Sequence, residues 1–128
     1  MAGASEMSHQ ITLVTWFEKE YPDIGARLVA SMNGAFIAGG KNKYGLISKY
    51  KSSGMRNGFP DLFLPVPSGG YNGLFIELKK ESGGRTSPEQ KDWLDFLNSE
   101  GYMAVVCKGW ESAKDAIEGY LSEGARPT

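Results

Sequence analysis

Two short motifs hold the residues best suited to chemistry: Gly58-Phe59-Pro60-Asp61 and Phe75-Ile76-Glu77-Leu78-Lys79. The first places a carboxylate directly after a Gly-x-Pro turn, at the head of the apolar run Leu62-Phe63-Leu64. The second is an apolar run that carries Glu-x-Lys, and the spacing between the two suits a short hairpin. Side chains two apart on a strand point the same way, so Glu77 and Lys79 share one face while Leu74, Ile76 and Leu78 line the other. Two carboxylates can hold a hard cation such as Mg2+ through oxygen. A neighbouring ammonium can then orient a water or offset charge on a phosphate, which is the equipment of metal-dependent phosphodiester hydrolysis. A lone Pro-Asp or Glu-x-Lys specifies little, each being commonly a turn or a solvated strand face. It is the pairing between apolar runs that is informative. Lys79 alone would read as a strand-edge gatekeeper.

The elements that must position these residues follow from periodicity and punctuation. Residues 5–20 read as a helix in which Glu6, Gln10, Leu13, Val14 and Phe17 recur at three- and four-residue steps, ending at Tyr21-Pro22-Asp23. Residues 27–31 form a candidate first strand, stopped by Asn33-Gly34. Residues 43–52 suit a short helix loosened by nearby glycines. Strands are expected over 61–64 and 74–79, joined by the Pro- and Gly-rich turn 65–73. Ser87-Pro88-Glu89-Gln90 is a helix start, with Ser at the N-cap, Pro at N1 and Gln at N3 in position for a capping box. Trp93, Leu94 and Leu97 form its apolar stripe and Gly101 its end. A strand over 102–107 and a helix over 111–121 complete an α/β order of α-β-β-β-α-β-α, with 122–128 as a frayed tail.

The 128 residues suffice for one domain with a single core. No apolar stretch reaches the length of a membrane span, and the first residues lack the basic and apolar regions of a secretory signal. One cysteine and one histidine exclude an intramolecular disulfide and a Cys/His zinc cluster within the chain. Cys107 reads as a small buried hydrophobe that fits a reducing cytosol, and His9 as incidental. Trp16, Trp93 and Trp110 read as core. Net charge is only −1, but residues 24–60 hold no acid and six bases, Arg27, Lys41, Lys43, Lys49, Lys51 and Arg56, leaving −7 for the rest. A basic segment leading into Asp61 suits a phosphate-backbone track, whereas a lysine cluster elsewhere would read as a solvated face.

Asp opening the second strand, with Glu-x-Lys on the third, resembles the PD-(D/E)xK restriction-endonuclease-like core, a mixed four-stranded sheet flanked by helices. Over residues 5–121 the chain resembles more closely a stand-alone VRR-NUC domain of the phage and bacterial type, related to the nuclease domain of the Fanconi-associated nuclease. The resemblance is carried by Ser5-Glu6 with Gln10, Asn33-Gly34, Lys49, Gly54 and Gly58-Phe59-Pro60-Asp61. Further on it is carried by residues 69–79, Ser87-Pro88-Glu89-Gln90, Gly101-Tyr102 and Cys107-Lys108-Gly109-Trp110. The Val-Arg-Arg that names the family stands here as Met55-Arg56-Asn57, so one potential phosphate-binding side chain is missing.

The resemblance implies a single-domain, Mg2+-dependent, structure-selective DNA endonuclease, with Mn2+ able to substitute. Asp61, Glu77 and the Leu78 carbonyl would ligate the ion, with Glu6 joining directly, through water or at a second ion. Lys79 would orient the attacking water, and Gln90 would point toward the site, a role compatible with its capping one. The first-turn position of Glu6 also suits the helix dipole alone. Lys41, Lys43, Lys49, Lys51, Arg56 and Gln10 are the candidate DNA contacts. Expected substrates are four-way or other branched junctions, cut to 5′-phosphate and 3′-hydroxyl ends by a homodimer whose two-fold axis matches that of the junction. Tyr44, Leu46, Ile47 and Tyr50 could supply a self-complementary patch, or pack on their own domain. A cytoplasmic, bacterial or phage-encoded protein is expected. The alternatives are a non-catalytic DNA-binding module and an interaction subunit on a nuclease fold.

Overall fold

The computed structural model describes residues 4–31 and 43–123, with backbone only at 43, 44 and 123. The elements are α1 (Glu6–Glu20), a 3-10 turn (Gly25–Arg27), β1 (Val29–Ala30), α2 (Lys43–Ser52), β2 (Leu62–Leu64), β3 (Leu74–Lys79), α3 (Pro88–Ser99), β4 (Met103–Lys108) and α4 (Trp110–Glu123). Four strands form one mixed sheet in chain order: β1, β2 and β3 pair antiparallel, and β3 and β4 pair parallel. The expected α/β order holds, and the short helix expected over 43–52 is present as α2 between the first two strands. β1 is shorter than expected, and α4 starts one residue earlier and runs to Glu123. The Asn33-Gly34 turn and the tail 124–128 lie outside the described residues.

The sheet is covered on both faces. On one, Leu62, Leu64, Leu74, Ile76, Leu78 and Cys107 pack with Leu13 and Phe17 of α1 and with Ala113, Ile117 and Tyr120 of α4. On the other, Phe75 and Ala104 pack with Leu94 and Leu97 of α3, joined by Phe59, Phe63, Trp93 and Tyr102. β3 is central, and all six of its residues are buried. Each Leu or Ile buried there contributes about 1.5–3 kcal/mol relative to exposure. The 65–73 connection is tied down where Tyr120 Oη donates to Val66 O at 2.6 Å and Ser68 Oγ donates to Tyr120 O at 2.6 Å.

The buried stripe of α1 is His9, Leu13 and Phe17, whereas Glu6 is exposed and Gln10 half-buried. The four-residue steps from 9 to 13 to 17 therefore mark the inner face better than the expected set beginning at Glu6. His9 is far from incidental. Only 3% exposed, it accepts the Trp110 N–H on Nδ1 at 3.0 Å, capping α4 and joining the N-terminal ends of two helices. Its Nε2 then carries the proton and lies 3.5 Å from Glu81 Oε1.

Candidate active site

The β2–β3 pairing aligns Leu62 with Ile76 and Phe63 with Phe75. Continuing that register by one residue sets Asp61 opposite Glu77, where directly facing side chains share a sheet face. Pro60, next in line, has no N–H to give the ladder, and the Asp61 carboxylate binds the backbone instead: Leu78 N–H donates to Asp61 Oδ2 at 2.7 Å. The Gly-x-Pro turn before Asp61 has a steric origin. Gly58 has φ +84°, and a Cβ there would lie 2.5 Å from Glu89 C and 2.6 Å from Gln90 N. Only glycine allows the approach to β2 to press against the first turn of α3, which brings Gln90 alongside the strand.

Gln90 performs both of its expected roles with one amide. Its backbone N–H donates to Ser87 Oγ at 3.1 Å, and its Oε1 accepts from Ser87 N–H at 2.8 Å, completing a capping box. The same Oε1 accepts from Lys79 Nζ at 2.9 Å, and Nε2 donates to Glu77 Oε2 at 3.1 Å. Two donors on the oxygen and an acceptor on the nitrogen permit a single amide orientation. Lys79 Nζ lies 3.6 Å from Glu77 Oε2, both residues being buried. Gly84 lets the 81–85 loop lie over Lys79, since a Cβ at 84 would meet Lys79 Cβ at 2.9 Å.

Glu77 is the electrostatic centre. It is 2% exposed, and among the described residues Oε1 has no hydrogen-bond partner. Burial, then the adjoining Asp61 carboxyl, push its pKa up to about 9, against the smaller lowering effect of Lys79. Lys79 alone does not offset an ionised pair at this spot, so the site favours a proton or a cation. A buried carboxylate oxygen without a partner, beside a second carboxylate, fits a hard cation bound by oxygen. Among the described residues no third His, Cys, Asp or Glu joins the pair to form a ligand cluster. Two carboxylates suffice for Mg2+, which ordinarily keeps several waters and takes further oxygens from a substrate phosphate.

The other candidates lie further out. Glu6 sits exposed on the first turn of α1. Gln10 is half-buried one turn on. Lys49 and Lys51 are exposed in the last turn of α2, and Arg56 is exposed between α2 and β2. Lys41 and the side chains of Lys43 and Tyr44 lie outside the described residues, while Leu46, Ile47 and Tyr50 are half-buried. The Leu78 side chain belongs to the core. Burial raises the Cys107 thiol above its ordinary pKa, as in an inert structural cysteine. Trp16 and Trp110 flank the α1/α4 core, and Trp93 the α3 core. No helix among the described residues is long and apolar enough to cross a membrane.

A mixed four-stranded sheet between helices, presenting Asp at the entry to β2, Glu and Lys on β3 and a helix-borne Gln, is the arrangement of a nuclease-type α/β domain. The family model for the VRR-NUC domain matches residues 4–111, and the chain belongs to that family. It is similar to a solved structure described as a VRR_NUC domain protein, with a TM-score of 0.83 and 28% sequence identity, covering 97% of this chain and 93% of that one. No match was found among curated proteins.

Proposed function

We propose that this chain is a Mg2+-dependent, structure-selective DNA endonuclease acting on branched junctions, with Mn2+ able to replace Mg2+. The observation that carries the reading is the Asp61–Glu77–Lys79–Gln90 network, in which Glu77 and Lys79 are buried and, among the described residues, one Glu77 oxygen is left without a hydrogen-bond partner. Asp61 and Glu77, with the Leu78 carbonyl, would hold the cation, which when bound lowers the pKa of a water and draws charge from the scissile phosphate. Gln90 holds the Lys79 ammonium beside Glu77, so that the cation of the side chain is already placed when phosphate arrives. Lys79 orients the water and offsets the charge that develops on the phosphate. Glu6, at the exposed start of α1, would act through water or a second ion. Gln10, Lys49, Lys51 and Arg56 of the described residues, with Lys41 and Lys43, would meet the DNA backbone. Such contacts position a duplex without reading its sequence, so selectivity rests on junction shape.

The chain would act as a homodimer, because two opposed nicks in a four-way junction need two sites related by two-fold symmetry. Light scattering after size exclusion, with and without junction DNA, tests this, and a monomer in both conditions would indicate a flap or single-nick enzyme instead. The central test is cleavage of end-labelled four-way, flap and linear DNA in Mg2+ and in EDTA. Preferential, EDTA-sensitive cutting of a branched substrate is expected. Tight junction binding without cutting would leave a binding module.

A further inference from the structure

A cavity of about 540 Å³ opens between the end of α2, the approach to β2 and α3, lined by Ser31, Tyr50, Met55, Arg56, Phe59 and Trp93 among others. Its volume falls within the range of about 300–1,000 Å³ common for small-ligand pockets. We propose that it receives one unstacked nucleobase of the DNA strand next to the cleaved phosphodiester, with Arg56 on the adjoining phosphate. The proposal deepens the nuclease reading and rests on it.

Three independent features favour this occupant. The first is position. Phe59 precedes Asp61 by two residues, and Ser31 N–H donates to Asp61 O at 2.7 Å. Trp93 lies one helical turn beyond Gln90 on α3. The pocket therefore shares its wall with the elements that set Asp61 and Gln90. The second is surface. Trp93 stands edge-on to Phe59 at 5.0 Å, and both rings, half-buried, line the cavity. A base can stack on such a surface whatever its identity, as single-stranded nucleic acid does on aromatic platforms. The third is polarity. Among the described residues Ser31 Oγ is buried without a hydrogen-bond partner, and the exposed Arg56 brings a positive charge to the cavity. A hydroxyl can serve a base edge as donor or acceptor, and a guanidinium suits the accompanying phosphate. Junction branch points supply bases that are readily splayed from the stack, so filling the pocket would favour branched over continuous duplex. It also assigns a task to the one arginine retained in Met55-Arg56-Asn57.

The test is an abasic scan. Single abasic sites are placed at each nucleotide flanking the mapped cleavage point of a junction, and affinity is measured with Ca2+ replacing Mg2+. With wild-type protein one position should weaken binding about tenfold, the loss of one stacked base. Trp93→Leu should bind intact and abasic junctions alike, and so should lose that sensitivity. Ser31→Val, which keeps the volume and removes the hydroxyl, should reduce the sensitivity and provides a second reading should Trp93→Leu fail to fold. Equal affinity for all abasic substrates, or full sensitivity retained in a folded Trp93→Leu protein, overturns the pocket. If wild type still cuts the intact junction in Mg2+, the nuclease reading survives that result. If it neither binds nor cuts DNA, both fall.

Discussion

The two faces of β3 are built from alternate residues of one six-residue strand, all buried, yet they obey different rules. Toward α1 and α4 the strand presents Leu74, Ile76 and Leu78, a packed apolar layer whose contribution grows with the area removed from water. Toward α3 it presents Phe75, Glu77 and Lys79, and the last two are buried polar groups whose desolvation has to be offset by partners. Lys79 finds Gln90 and Glu77, but among the described residues Glu77 Oε1 finds no hydrogen-bond partner. One face therefore stabilises the fold, and the other carries a carboxyl whose charged form burial and Asp61 disfavour. Functional sites commonly hold this kind of unresolved electrostatics.

The contrast is broken most severely by Asp61→Asn or Glu77→Gln. Each should lower turnover on branched DNA by about a thousandfold or more, because a charge proposed to hold the metal is removed. Melting followed by circular dichroism should show equal or greater stability than wild type without metal, since two acids no longer have to share a buried spot. Near wild-type turnover in either variant would remove the site assignment. On the apolar face Ile76→Ala should do the reverse. It should cost about 2–5 kcal/mol of stability by leaving a cavity, while the fraction still folded keeps its turnover.

Titration sharpens the comparison. The folded pKa of Glu77, about 9, stands above its ordinary value of 4.5. The folded state thus binds more protons than the unfolded state between those values, and metal-free stability should fall as pH rises through that window. The slope from this group is at most about 1.4 kcal/mol per pH unit. Denaturant titrations at several pH values should show that slope in wild type in EDTA. They should show it reduced in Glu77→Gln and in wild type with saturating Mg2+, where the cation replaces the proton. Wild-type stability that does not fall with pH across this range would mean that Glu77 does not take up a proton on folding.

Gln90→Ala sits between the faces and the helix. It should cost about 1 kcal/mol through the missing cap bond and should reduce turnover beyond that, since Lys79 and Glu77 lose their shared tether. An effect confined to melting temperature would make Gln90 a cap and nothing more. The smallest effects are expected at the periphery. Lys49→Ala or Lys51→Ala should weaken binding alike for all DNA sequences. Each should also lower the slope of log affinity against log salt by ~1, the share of one phosphate no longer neutralised. An unchanged slope would return these lysines to the solvent.

What could be read from the chain alone was whatever local physics specifies. The six residues of β3, the Ser87 capping box and the burial of Cys107 follow from alternation, cap chemistry and apolar context, each confined to a few neighbouring residues. The paired motifs around Asp61 and Glu77 were legible because a hairpin makes their separation in sequence a separation in space. Tertiary structure decided everything that required distant segments to meet. Gln90 reaches Glu77 and Lys79 only because Gly58 lets α3 close against the entry to β2. His9 became a structural residue only when α4 was placed with Trp110 N–H against its ring. Arg56 and Trp93 share a cavity though 37 positions apart, and Glu6, on the expected face by spacing, was left in solvent. A period in sequence gives the face of a helix, but the rotation of that face about the core is set by packing, and no local pattern records it.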